Sequence, residues 1–225
     1  MQDQMKKVLE QAARLQKIIP DAVLVRGSAA FLYAGHRYSI EHDHIICDLQ
    51  ERFEIILESL EREGDWITNR VVYGKIILGE LGGIETGIRQ LIRKKVLEFQ
   101  KVDIGEFSLN VPTIEELIRI KAFLIIKRNQ MRDYLDFAAL AEKNGIEASA
   151  HTIKNLDEYY TDDKNYEKPA LSQLLRQLSN PQPKDSRNIE QLLHYKGAKE
   201  KWKNWDYIID VCREVACVLM ETDYA

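Results

Sequence analysis

Residues 22–49 read AVLVRGSAAFLYAGHRYSIEHDHIICDL, and the fold is decided there. Ala22–Arg26 is short, apolar and β-branched, the composition of a buried strand. Gly27-Ser28 follows directly, and then AAFLYAGH, a run of good helix formers with Gly35 near its end. A strand, a small-residue turn and a helix expose backbone N–H groups and a hydroxyl at a helix N-terminus, where phosphate binds readily. His44–Leu49 reads as a second strand, with Glu41-His42-Asp43 extended ahead of it. Alternate residues of an extended chain share a face. Glu41 and Asp43 therefore point the same way, with Cα atoms roughly 6.6 Å apart. Two acids beside an apolar strand are costly unless a cation neutralises them. Such a pair can hold one divalent ion, or straddle two ions about 3.5–4 Å apart; the alternative is a solvated charged loop leading into the strand. The same alternation sends His42 and His44 to the opposite face, which argues against one four-ligand transition-metal cluster. They are expected to pack there with their ring nitrogens hydrogen-bonded.

Outward from this stretch, residues 2–19 place Met5, Val8, Leu9, Ala12, Leu15, Ile18 and Ile19 at helical spacing, ended by Pro20. QERFEIILESLEREG, residues 50–64, predicts a helix with Phe53, Ile56, Leu57 and Leu60 on one face. Residues 71–90 predict a hairpin: VVYGKIILGEL, a Gly82-Gly83 turn, and IETGIRQL. Gly79-x-x-Gly82-Gly83 opens no helix, so it reads as that turn and not as a phosphate loop. Further strands are expected at 96–104 and 106–111, around Gly105. Thr113 with Glu116 has the form of a capping box. From there the pattern is helical: 132–144 up to Gly145, one or two helices in 152–178, a loop at 179–185, and helix again over 188–221. The expected fold is α+β, a small mostly antiparallel or mixed sheet with flanking helices over 1–111, followed by a helical half over 112–225.

The chain has 225 residues, 45% hydrophobic and 30% charged, enough for a buried core and unlike a disordered protein. With 32 Lys+Arg against 36 Asp+Glu the net charge is −4, which excludes a basic nucleic-acid coat. No apolar run approaches the roughly 20 residues of a membrane span. The polar start, and Cys47, Cys212 and Cys217 without zinc spacing or an even disulfide set, set the expectation of a cytoplasmic protein with no membrane partner. Lys94-Lys95 with Arg89 and Arg93, and Trp202 and Trp205 among Lys199, Lys201 and Lys203, could touch nucleic acid. The commoner explanations are solvated charge and core packing.

Gly27-Ser28, then Arg37-Tyr38-Ser39, then Glu41-His42-Asp43 before apolar residues, resembles the core of a minimal nucleotidyltransferase, more narrowly the AbiEii-type family. Members of that family include toxins of toxin–antitoxin systems. Their pattern is a Gly-Gly-Ser/Thr turn, an Arg-x-Ser and an Asp-x-Asp. A helical Lys and a basic stretch leading into Arg-Asp-x-x-Asp then follow. The second part is matched by Lys121 in EELIRIKAFLIIKR, then Arg128, then Arg132-Asp133-Tyr134-Leu135-Asp136. The likeness spans about residues 22–142 and finds no counterpart for 150–225. Three departures stand out. Arg26 replaces the first turn glycine, Glu41 replaces the first Asp, and the third carboxylate of such enzymes has two candidates, Glu85 and Asp103.

The resemblance implies a Mg²⁺-dependent (or Mn²⁺-dependent) transferase. It would move a nucleoside monophosphate from a nucleoside triphosphate to an RNA, protein or small-molecule hydroxyl, with a cognate antitoxin as a partner. It implies Glu41 and Asp43 as metal ligands, joined by Glu85 or Asp103. Gly27, Ser28, Arg37, Ser39 and Arg128 would bind nucleotide, and Lys121 would neutralise phosphate. Arg132, Asp133 and Asp136 would support the site, with Asp136 orienting Lys121 or Arg128. The competing expectations are a degenerate nucleotidyltransferase fold that binds a nucleotide or a partner protein without catalysis, and a His/acid transition-metal protein.

Overall fold

The computed structural model describes residues 2–93, 95–160 and 169–222. It divides into two compact units. One holds 2–31 and 38–113, and the other holds 32–37 and the described residues from 114 onward.

The first unit opens with helix α1 (Gln2–Ile18), strand β1 (Val23–Val25) and the start of helix α2 (Arg26–Ala34). Strand β2 (His42–Ile46) and helix α3 (Leu49–Glu61) follow, then β3 (Trp66–Val72), β4 (Ile76–Leu81) and β5 (Ile84–Gln90). Five strands form one mixed sheet in the order β1-β2-β5-β4-β3. β2 pairs parallel with β5 and every other neighbour pairs antiparallel. Leu15 and Ile19, with Leu49, Phe53, Ile56 and Leu60 of α3, pack on Ile46, Ile77, Leu81 and Ile88. Each such full burial contributes roughly 1.5–3 kcal/mol. This core fixes the register of β2: Ile46 faces it, and by alternation so do His44 and His42, while Asp43 faces away. A separate antiparallel hairpin, β6 (Phe99–Ile104) and β7 (Phe107–Pro112), turns at Gly105.

The single hairpin expected over 71–90 is a three-stranded meander. Residues 71–81, read as one continuous strand, are broken at Tyr73-Gly74-Lys75, where Gly74 adopts φ 65 and Lys75 N–H donates to Val72 O. Such a conformation favours glycine, but the apolar alternation runs on through the turn and hides it. Gly82 and Gly83, at φ 58 and 75, form the expected two-residue turn between β4 and β5.

The second unit is helical: α4 (Ile114–Arg128), α5 (Met131–Asn144), α6 (Ile146–Lys154), α7 (Leu156–Tyr160), α8 (Ala170–Ser179) and α9 (Trp205–Thr222). Part of the expected 152–178 stretch, residues 161–168, lies outside the described residues. α4 is buried nearly all round, including Glu116, Arg119 and Lys121, which makes it the central helix of the unit. Tyr134, Leu135 and Phe137 of α5, Leu174 and Leu178 of α8, and Ile208 and Val215 of α9 are buried with it. The helix expected over 188–221 begins only at Trp205. Before it come two 3₁₀ segments, Ser186–His194 and Glu200–Lys203, separated by a turn with Gly197 at φ 66. Trp202 is buried, which is the core-packing explanation of that residue.

Candidate functional site

In the first unit the site is built on the face of β2 and β5 opposite the core. Asp43 pairs in register with Gly87, so Glu85, Gly87 and Arg89 share its face. Gly87 is required by close approach, because a Cβ there would collide with Asp43 Oδ1. The Asp43 side chain is 4% exposed and both of its oxygens are engaged: Arg89 Nε donates to Oδ1 at 3.0 Å, and Arg26 Nη1 lies 2.9 Å from Oδ2. The same Arg26 nitrogen is 3.9 Å from Glu41 Oε1, and Glu41 is 36% exposed.

β1 ends at Val25 and α2 begins at Arg26, so the expected turn is made within one residue. Arg26 has φ 64, a left-handed backbone that glycine takes freely and other residues at a cost of about 1–2 kcal/mol. Its guanidinium lies over the acid pair.

Gly27 and Ser28 are buried in the first turn of α2. Ser28 Oγ donates to Glu41 O at 2.5 Å and Ser39 Oγ to the same carbonyl at 2.9 Å. These two hydroxyls fix the backbone at Glu41. Glu85 lies on the exposed start of β5, on the Asp43 face. Asp103 lies on β6, paired with Ser108 in the other sheet.

His42 and His44 are fully buried, their rings edge to face at 5.3 Å. Thr86 Oγ1 donates to Ile84 O, so its lone pair accepts from His42 Nε2–H at 3.0 Å. Burial pushes the His42 imidazole down to about 4. Burial, with His42 adding to it, holds His44 well below its ordinary value. The expectation that both rings are hydrogen-bonded is corrected here. Neither His44 nitrogen has a hydrogen-bond partner among the described residues, because the apolar face toward α1 and α3 supplies none.

In the second unit a buried carboxylate gathers the charge. Asp136 accepts from Lys121 Nζ at 2.7 Å, from Arg37 Nε at 2.8 Å and Nη2 at 3.0 Å, and from His36 Nε2 at 2.7 Å. Burial works to raise the Asp136 carboxyl, but Arg37, Lys121 and His36 together hold it well below the usual carboxylate range. Burial pushes His36 down, so it is the neutral ring that donates. Lys121, 2% exposed, is oriented by Asp136. The second acid of the motif pairs separately: Arg128 Nη2 donates to Asp133 Oδ1 at 2.5 Å. Arg132 Nε donates to the Gln130 side chain at 3.1 Å. The Arg37 guanidinium lies 5.2 Å from the centre of the Tyr195 ring. Sequence reasoning assigned no role to His36, Tyr195 or Gly87. The signal for Arg89 was available, since strand alternation puts it on the face of Glu85. Lys94, of the Lys94-Lys95 pair, lies outside the described residues.

The donor chemistry of Glu41 and Asp43, two hard carboxylates on one face, suits a divalent cation. Among the described residues, no cluster of three or more His, Cys, Asp or Glu could hold a metal ion. Between the two carboxylates lies Arg26 Nη1.

A profile of the nucleotidyl transferase AbiEii toxin of type IV toxin–antitoxin systems matches residues 76–206, from β4 through the 3₁₀ segments. The match reaches past residue 150 as far as 206, correcting the expectation of no counterpart for that part of 150–225. It begins after Glu41 and Asp43. In a curated comparison the chain is 27% identical over 240 aligned positions to the heme uptake protein MmpL11 of Mycobacterium tuberculosis, covering 95% of this chain. The chain spans 22% of that protein's length. No helix among the described residues is long and apolar enough to cross a membrane. Among solved structures, a proposed nucleotidyltransferase from H. pylori aligns at TM-score 0.50 and 13% identity, covering 97% of this chain and 96% of that one. The antibiotic-resistance factor ANT(2'')-Ia aligns at TM-score 0.49 and 12% identity, over 65% of this chain and 87% of that one. With more than half of its length matched by the profile, the chain belongs to the AbiEii nucleotidyl transferase toxin family.

Proposed function

We propose that the chain is a divalent-cation-dependent nucleotidyltransferase. It transfers a nucleoside monophosphate from a nucleoside triphosphate to a hydroxyl of an RNA, a protein or a small molecule, and serves as the toxin of a toxin–antitoxin pair. The observation that carries the reading is the convergence of Glu41 and Asp43 around Arg26 Nη1 on the sheet face opposite the core, with Gly87 making room for the Asp43 carboxylate. Mg²⁺ bound there would supply charge neutralisation and Lewis acidity at the α-phosphoryl group. Of the two candidates for a third acid, sharing the Asp43 face favours Glu85 over Asp103, which lies on the other sheet, although neither completes a three-ligand group among the described residues. Ser28 and Ser39 hold the Glu41 backbone, and the N–H groups at Gly27 and Ser28 are offered to phosphate. In the second unit, Lys121, Arg37 and Arg128 bring the cationic charge that a phosphorylated substrate requires. Asp136 pairs with Lys121 and Arg37, and Asp133 with Arg128, which holds those cations in place. Three free cysteines suit a cytoplasmic setting.

A second reading, a nucleotide- or partner-binding fold without catalysis, is favoured by one observation: both Asp43 oxygens are held by arginines. Incubation with each α-labelled nucleoside triphosphate and Mg²⁺, with and without total RNA, separates the two. Label entering RNA or the protein itself is expected, with loss of at least about 100-fold in Glu41→Ala/Asp43→Ala, the scale of losing transition-state charge stabilisation. No label from folded wild-type protein, with total RNA and a small-molecule cell extract both supplied as acceptors, would leave only the binding reading.

A further inference from the structure

We infer that Arg26 is an internal cation that occupies the place of the divalent ion, so that metal enters this site only as Arg26 leaves it. The inference rests on the transferase reading for the identity of the site and adds the device that governs its loading. One guanidinium nitrogen, Nη1, lies 2.9 Å from Asp43 Oδ2 and 3.9 Å from Glu41 Oε1, between the two carboxylates that a divalent ion would bridge. Arg89 sits on the other Asp43 oxygen, Oδ1, at 3.0 Å and steers that carboxylate without covering Oδ2. The two arginines therefore do different work: Arg89 orients and Arg26 competes.

The backbone shows that Arg26 is held at this position against its own preference. Its φ of 64 is a glycine conformation, and the strain is sustained only where the surroundings over-determine it. The side chain is 24% exposed, so the guanidinium can leave toward solvent without crossing packed core. A guanidinium is always charged and prefers bidentate phosphate over a single carboxylate oxygen. A triphosphate arriving beside Gly27-Ser28 is thus the natural acceptor of Arg26. Metal and nucleotide then load together, and the ion alone binds weakly.

The test reads metal, not turnover. Mn²⁺ binding to the full chain is followed by the electron paramagnetic resonance of the free ion, for wild type, Arg26→Gly, Arg26→Gln and Arg26→Gly/Asp43→Asn. Arg26→Gly relieves the left-handed backbone and is expected to fold at least as well as wild type. Arg26→Gln keeps the side-chain length and removes only the charge. Removing a cation at this distance from a partly buried acid pair is expected to tighten Mn²⁺ by at least about tenfold in both single variants. It should also lower the gain in Mn²⁺ affinity that a nucleoside triphosphate gives the wild type. Adding Asp43→Asn should remove the tightening.

Unchanged or weaker Mn²⁺ affinity in Arg26→Gly and Arg26→Gln, with wild-type circular dichroism, overturns the inference. The two ideas fail separately. Label transfer by the wild type with no change in Mn²⁺ affinity on removing Arg26 overturns the internal cation and leaves the transferase standing. Tightened Mn²⁺ without transfer from any variant supports the internal cation while overturning the transferase.

Discussion

Asp136 shows how single residues set the chemistry. It is one buried negative charge facing two fixed cations and a neutral imidazole. Asp136→Asn leaves Lys121 and Arg37 buried without their counter-ion, and is expected to destabilise by about 3–5 kcal/mol in denaturant unfolding. The acid side follows from the direction of the shift. Because the folded carboxyl lies below its unfolded value, its stabilisation is complete above about pH 4 and is lost only as pH falls toward the depressed folded value. Gly87→Ala should act through geometry. The new methyl displaces the Asp43 carboxylate, lowers stability by about 1–3 kcal/mol as overpacking does, and weakens Mn²⁺ binding measured by titration. Of these residues, Asp136 was legible in the sequence through its motif. Gly87 was not, because a glycine needed for a cross-strand carboxylate looks like any other glycine until the register is known.

Among the elements, β2 was misplaced by two residues, expected at His44–Leu49 and found at His42–Ile46, but its alternation was legible: Asp43 fell on one face and the histidines on the other, as Ile46 in the core requires. That core position is why the histidines lose their charge. With the folded pKa of His42 near 4 against an ordinary 6.5, the unfolded chain binds the proton first. Stability is therefore full above about pH 6.5 and falls by about 3 kcal/mol toward pH 4 from this residue alone. Thermal unfolding midpoints across that window should show the slope. His44→Leu should flatten the slope and leave stability at pH 7 unchanged or higher, because it removes a buried ring with no hydrogen-bond partner among the described residues. A drop of more than about 2 kcal/mol at pH 7 would contradict this account of His44. The elements that escaped the sequence did so for local reasons. Gly74 cuts 71–81 without interrupting the apolar pattern, and the Gly197 turn splits what periodicity joins over 188–221.

At the scale of the whole molecule, the division of contacts falls after Thr113 but is not linear in sequence. Leu32–Arg37, from the end of α2, belongs with the residues after Thr113. The short segment carries His36 and Arg37, two of the three residues that hold Asp136. A fragment of residues 112–225 should therefore be compromised by more than truncation, since its Asp136 keeps only Lys121. We expect it to unfold at lower denaturant than the corresponding region of the full chain, by the equivalent of about 3 kcal/mol. A fragment as stable as that region would show the segment to be dispensable. This excursion could not be read from hydropathy, which sees one amphipathic helix in α2 and nothing of where its last turn packs.

The hydrogen bonds from Arg37 to Asp136 also have a meaning in time. During synthesis Arg37 leaves the ribosome 99 residues before its acceptor, and the whole of β2 through β7 is made in between. Joining ends that far apart costs roughly 4 kcal/mol of chain entropy if the intervening stretch is still loose. It costs far less once those strands have already drawn the ends together. The buried cluster of the helical unit thus cannot close until Asp136 has been translated, and until then His36 and Arg37 lack their carboxylate.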